Sequence, residues 1–167
     1  MISLNPSLAA ALKVGITAFV AGAFYMQPYR PMVFVGKSME PTYHNRTFTW
    51  TEPVAKEDLR RGQVVVINMD SGPIVKRLAY LPGDSIKQIR TGGQWMDLVN
   101  VHPLATSRIG DLDYRKFVVP PGMAYVLGDN QQVSYDSKFF GCISLDRIQR
   151  ILVDQRPPTV VGADRLL

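Results

Sequence analysis

Residues 63–80 read QVVVINMDSGPIVKRLAY. β-Branched residues crowd both halves, so Gln63 to Met69 and Pro73 to Tyr80 are predicted as strands. Alternation along the second puts Ile74, Lys76 and Leu78 on one face, where a lysine shares its side with two apolar residues. The same signature recurs outward in both directions. Further strands are predicted at Met32 to Val35, Thr47 to Thr51, Ser85 to Arg90, Gln94 to Val101, Lys116 to Val119, Met123 to Leu127 and Ile148 to Val153. Gly92-Gly93 suits a two-residue hairpin, and Pro82-Gly83-Asp84 and Pro120-Pro121-Gly122 suit tight turns. Past residue 30 only Val54 to Arg60, behind Pro53, offers a helical turn. Residues 27–167 are thus expected to form a mainly β, antiparallel domain.

Composition bounds what such a domain can do. The 167 residues suffice for one compact domain, and an apolar share of 46% with 20% charged is that of a folded chain. The net charge of +5 comes from scattered Lys and Arg, so no nucleic acid partner is expected, while a mild attraction to anionic headgroups is. The one cysteine, Cys142, excludes an intramolecular disulfide and reads as a small buried residue. His44 and His102 stand apart with no ligand spacing, so no metal and no cofactor is expected.

Residues 8–26, LAAALKVGITAFVAGAFYM, carry Lys13 as their one charge. As a helix they would extend about 28 Å, close to the hydrocarbon thickness of a bilayer. Lys13 could snorkel at one end, Tyr25 and Tyr29 would sit at the other interface, and Pro28 and Pro31 end the helix. The expectation is a tail over 1–7, a transmembrane anchor over 8–26 and the β domain after it. A signal-peptide core ending at Ala21-Gly22-Ala23 and a buried helix are the competing readings.

Ser38, in Val-Gly-Lys-Ser-Met-Glu-Pro-Thr (35–42), interrupts an apolar run. A serine needs a base to act as a nucleophile at neutral pH. Lys76 is the best candidate, because burial on its apolar face would disfavour the ammonium and free the amine to take a proton. An edge lysine facing water is the bland alternative. A third region, residues 128–141, packs acids, hydroxyls and Lys138 between two glycines. Ser134 there is suited to orient a neutral amine. Asp136 and Lys138 could brace the loop by pairing with each other or with Arg77.

These three stretches together resemble the type I signal peptidase family of membrane-bound Ser–Lys proteases. Ser38-Met39-Glu40-Pro41-Thr42 is similar to its nucleophile box. Lys76-Arg77 with Pro82-Gly83-Asp84 is similar to its general-base box, and Gly128-Asp129-Asn130 with Ser134, Asp136, Ser137 and Gly141 to its C-terminal box. The resemblance implies Ser38 as nucleophile, Lys76 as base and Ser134 as orienter, with Arg77, Asp129 and Asp136 as structural supports. It implies that Met39, Tyr43, Ile74 and Val75 shape shallow pockets for small side chains, and that substrate adds as an extended strand. The implied activity is removal of signal peptides from exported preproteins at a bacterial inner membrane, or an organellar one, with the secretion or conjugation machinery as a possible partner.

The sequence departs from the pattern at four points. Gly36 stands where some members carry a hydroxyl, Lys138 where an arginine is usual, and Tyr43 where a smaller aliphatic is common; the chain is also short. Arg30, Lys37 and Arg46 follow the apolar segment, so a charge count alone would put the domain in the cytoplasm. The resemblance implies the outer side, and three motifs outweigh the count. Two alternatives carry different functions: a pilin-maturation peptidase that cyclises its product, and a non-catalytic membrane-anchored β scaffold. Self-cleaving repressor proteases use a similar dyad, but no helix-turn-helix or Ala-Gly linker precedes this one.

Overall fold

The computed structural model describes residues 6–91, 93–97 and 113–158. Helix α1 spans Pro6–Met26, and ten strands follow: β1 Arg30–Val33, β2 Phe48–Pro53, β3 Val64–Met69, β4 Gly72–Tyr80, β5 Ser85–Thr91, β6 Gln94–Asp97, β7 Tyr114–Val118, β8 Met123–Leu127, β9 Ile143–Ser144 and β10 Ile148–Leu152. A second helix, α2, takes Ser137–Phe140. All pairings are antiparallel. Seven strands form one sheet in the order β1-β2-β10-β3-β4-β8-β9, and three form a second in the order β6-β5-β7.

The mainly β, antiparallel expectation holds, and β8 matches its predicted bounds. β1 begins two residues early because Arg30 already pairs with Thr51. Thr91 pairs with Gln94 and Gly93 sits at positive φ, while Gly92 of the predicted turn lies outside the described residues; Gly83 and Gly122 sit at positive φ in the other two turns. The expected turn after Pro53 is a short 3-10 segment, Lys56–Asp58. The last residues of the strand predicted over 94–101, and His102, lie outside the described residues. Helix α2 and strand β9 were not predicted, being too short for any periodicity to show.

β3 and β4 pair from Val64↔Arg77 to Met69↔Gly72, and the pleat sends their residues to two separate cores. Val65, Ile67 and Leu78 join Leu59, Ala124, Val126, Ile143 and Ile148, with Ile74 packed against them. Val64 faces the other way, toward Phe34, Met39, Tyr43 and Leu152. Lys76, paired with Val65, therefore lies on the first face between Ile74 and Leu78. A third cluster, Ile86, Val119 and Tyr125, seats the small sheet, and half-buried Cys142 packs against it. Burial pushes the Cys142 thiol up, away from thiolate reactivity.

Helix α1 exposes Val14, Ile16, Phe19 and Val20 together, with no polar face between them. Among the described residues, no helix is long and apolar enough to cross a membrane.

Candidate active site

The turn between β1 and β2 presents Ser38. Glu40 N–H donates to the Lys37 carbonyl at 3.2 Å and Tyr43 N–H to the Met39 carbonyl at 2.9 Å, closing the turn around Pro41. The Glu40–Pro41 peptide is cis. Gly36, at φ +100°, lets the chain leave β1, and its N–H donates to Asn45 Oδ1 at 3.0 Å. The result leaves Ser38 half-buried, with its hydroxyl in reach of Lys76.

Lys76 Nζ donates to Ser38 Oγ at 2.9 Å. The lysine is only 5% exposed, and burial holds its amine below the ordinary lysine range; the Asp136 carboxylate pulls the other way, as the smaller influence. The cause is its strand position: β4 lies inside the sheet, between β3 and β8, with Lys76 on the face of the first core.

The loop after β8 closes over this pair. Asn130 N–H donates to the Ser38 carbonyl at 2.9 Å, and Ser134 N–H to the Asn130 carbonyl at 3.0 Å. Ser134 is 3% exposed, and its Oγ makes no hydrogen bond among the described residues. A Cβ on Gly128 would stand 2.5 Å from the Ser38 carbonyl oxygen and 2.6 Å from Ser134 Cβ, so only glycine fits where these two segments meet. Fully buried Asp136 caps α2 by accepting from Lys138 N–H at 3.1 Å, and its other oxygen accepts from Gly128 N–H at 3.0 Å.

Of the ion pairs expected for this loop, Lys138–Asp136 forms and Arg77–Asp136 does not. Arg77 forms a fork with Asp129, Nε to Oδ1 at 2.8 Å and Nη2 to Oδ2 at 2.5 Å, and does not pair with Asp136. Both side chains are nearly buried. Lys138 Nζ pairs with Asp136 at 4.0 Å and also donates to Gln131, at 2.7 Å to Oε1 and 3.2 Å to the carbonyl. A lysine's single charged end cannot grip a carboxylate as a fork does, so the pair with Asp136 is long and the neighbouring amide shares the ammonium.

Two cavities flank Ser38 and Lys76. The smaller, about 290 Å³, is lined by Met39, Ile74, Val75, Phe34 and Val66 among others. The larger, about 460 Å³, runs past Ser38 to Met69, Val133, Tyr135 and Phe140. Met39, Ile74 and Val75 thus line a cavity beside Ser38 and Lys76. Tyr43 lines neither cavity. It is fully buried, stacks on Phe34 at 4.8 Å, and spends its hydroxyl on Asp154 and Arg156. A ring this large with a polar tip fits the core only where that tip finds partners, which draws it away from the pocket wall. Val133, Tyr135 and Phe140 were missed. The apolar residues interleaved with the hydroxyls and acids of residues 128–141 were their signal.

Comparison with known proteins fits this arrangement. Residues 7–151 match the family model described as "Signal peptidase, peptidase S26". The chain belongs to this family. Signal peptidase I of Bacillus amyloliquefaciens is 33% identical over 125 residues, covering 66% of this chain and 65% of that protein. Signal peptidase IB of Staphylococcus aureus (strain COL) is 29% identical over 153 residues, covering 80% and 78%. The chain thus spans just under two thirds of the Bacillus relative. A signal peptidase I structure from Enterococcus faecalis V583 overlays with a TM-score of 0.37 at 21% identity, covering 57% of this chain and 97% of its own.

Proposed function

We propose that the protein is a serine endopeptidase that removes signal peptides from exported preproteins through a Ser38–Lys76 dyad. The observation that carries the reading is the 2.9 Å hydrogen bond between Lys76 Nζ and Ser38 Oγ, formed by a lysine that burial drives toward neutrality. With the amine neutral, the same contact reverses. Ser38 O–H donates to the Nζ lone pair, Oγ attacks the scissile carbonyl, and the proton passes from Nζ to the leaving amine. An acyl-enzyme on Ser38 remains, and water activated by the same amine releases it.

The other groups take roles around these two. The Ser38 N–H, with no acceptor among the described residues, is placed to receive the developing oxyanion. Ser134 Oγ, buried without a partner, is free to hold Nζ once the lysine turns to its substrate. Arg77, Asp129 and Asp136 keep the base strand and the covering loop in register. Met39, Ile74 and Val75 line the smaller cavity, which suits small apolar side chains entering as an extended strand.

The same reading takes α1 as the chain's membrane attachment, although no described helix by itself is long and apolar enough to cross. Its apolar side chains stand exposed on every side, with Phe19 at 77%, and a helix apolar all round needs an apolar medium to cover it. The domain would lie on the outer face of a bacterial inner membrane, where preproteins present their cleavage sites. The test is cleavage of a purified preprotein in detergent or liposomes. Parent enzyme should yield one new mature N-terminus, and Ser38→Ala none. Normal processing by Ser38→Ala would end the proposal.

A further inference from the structure

The chain after β10 is not a spent tail. Its backbone touches both segments that carry the dyad. Tyr43, five residues after Ser38, donates its hydroxyl to the Asp154 carbonyl at 2.5 Å and accepts from Arg156 N–H at 2.8 Å. Arg77, next to Lys76, donates Nη1 to the Arg156 carbonyl at 2.9 Å. Between them, Gln155 fastens the segment to β3. Its Oε1 accepts from Val64 N–H at 2.7 Å, and its Nε2 donates to the Leu152 carbonyl at 2.7 Å and the Val64 carbonyl at 3.2 Å. Val64 is the residue paired with Arg77.

Followed around, these bonds close on themselves. From Ser38 the path runs through its carbonyl to Asn130 N–H, and Asp129 beside it grips Arg77. Arg77 holds the Arg156 carbonyl, Arg156 N–H holds the Tyr43 hydroxyl, and the turn Met39–Tyr43 returns to Ser38. Tyr43, Arg77 and Asp129 are all buried or nearly so, so most of the ring lies away from water. Hydrogen bonds in such surroundings are strong in geometry and costly to break.

We propose that Asp154–Arg156 is a strap that positions the catalytic dyad, with Tyr43 and Gln155 as its two buckles. Ser38 sits on a turn and Lys76 on a strand, and the pleat alone does not fix their separation. The strap spans the two and holds the nucleophile's turn against the base's strand. This inference rests on the dyad reading above. It also replaces the pocket role that the resemblance implied for Tyr43, since the tyrosine lines neither cavity.

A kinetic split separates positioning from binding and from plain stability. Tyr43→Phe keeps the ring on Phe34 and removes only the hydroxyl. Gln155→Ala frees the strap from β3 without touching Tyr43. Each is expected to lower kcat on a preprotein about tenfold with KM within about twofold of the parent. Ile148→Val, in the first core, serves as a control of reduced stability and should keep the parental kcat. A raised KM with unchanged kcat in Tyr43→Phe would return that residue to substrate binding and overturn the strap. Parental kcat in both variants, or an equal fall in Ile148→Val, would overturn it as well. Ser38→Ala is run alongside: if it still cleaves, the dyad reading fails and the strap with it, whereas an inactive Ser38→Ala beside unimpaired Tyr43→Phe and Gln155→Ala removes the strap alone.

Discussion

At Lys76 the fold buries an amine beside Ser38, on the strand face that carries Ile74 and Leu78, and this has a consequence for stability as well as for chemistry. The folded chain gives up that proton more readily than the unfolded one, whose lysine titrates near 10.5. Between the lowered folded value and 10.5 the unfolded state binds more protons, so this group makes stability rise with pH across that window. Below the folded value the cost is fully present, and each tenfold loss of proton affinity on folding contributes about 1.4 kcal/mol to it. Lys76→Met, which keeps the length without the charge, should therefore unfold at higher urea than the parent at pH 7, and the gap should close toward pH 11. A variant no more stable than the parent at pH 7 would show that the ammonium is not disfavoured. Under the proposed mechanism the same residue also governs rate. Lys76→Ala and Lys76→Arg should each abolish cleavage, the second because arginine stays charged. Parental activity should fall on the acid side as the amine protonates, and a flat profile down to strong acid would count against a neutral base.

The elements that carry the site meet with little slack. Gly128 lies at the closest approach of the covering loop and the nucleophile's turn, and Gly128→Ala would push a methyl group against the Ser38 carbonyl and Ser134. A loss of about 1–3 kcal/mol in urea unfolding is expected, with kcat falling more than KM changes. Asp129→Asn strips the buried Arg77 fork of its charge partner and should cost about 3–5 kcal/mol. Much of this level could be read from the residues. The run within Gln63 to Met69 announces a strand, and the step Ile74-Lys76-Leu78 puts a lysine on an apolar face. The partners of those residues could not be read. Tyr43 finds its acceptor 111 residues away, and Arg77 finds Asp129 52 residues away. Such pairings are decided by strand order, which alternation does not encode. Residues 128–141 show the same limit from the other side. Their acids and hydroxyls drew attention to the chemistry, while Val133 and Tyr135, exposed at the cavity rim, carried no periodic signal.

For the whole molecule, the anchor reading makes a simple demand. After alkaline carbonate washing the full chain should stay with the membrane pellet, and a form lacking residues 1–26 should be released while keeping activity on a soluble peptide substrate. Release of the full chain would remove the anchor. The order of strands has a further consequence, one that lies in time. Ser38 sits in the β1–β2 hairpin and Lys76 in the β3–β4 hairpin, and the two hairpins do not touch in the ladder; β10 lies between them. A ribosome delivers the serine and the lysine long before residues 148–152. Until that last strand slides in, a nascent chain owns both reacting groups but has no framework to bring them together. On the proposed reading, the growing polypeptide therefore stays inactive until residues 148–152 have been made and paired.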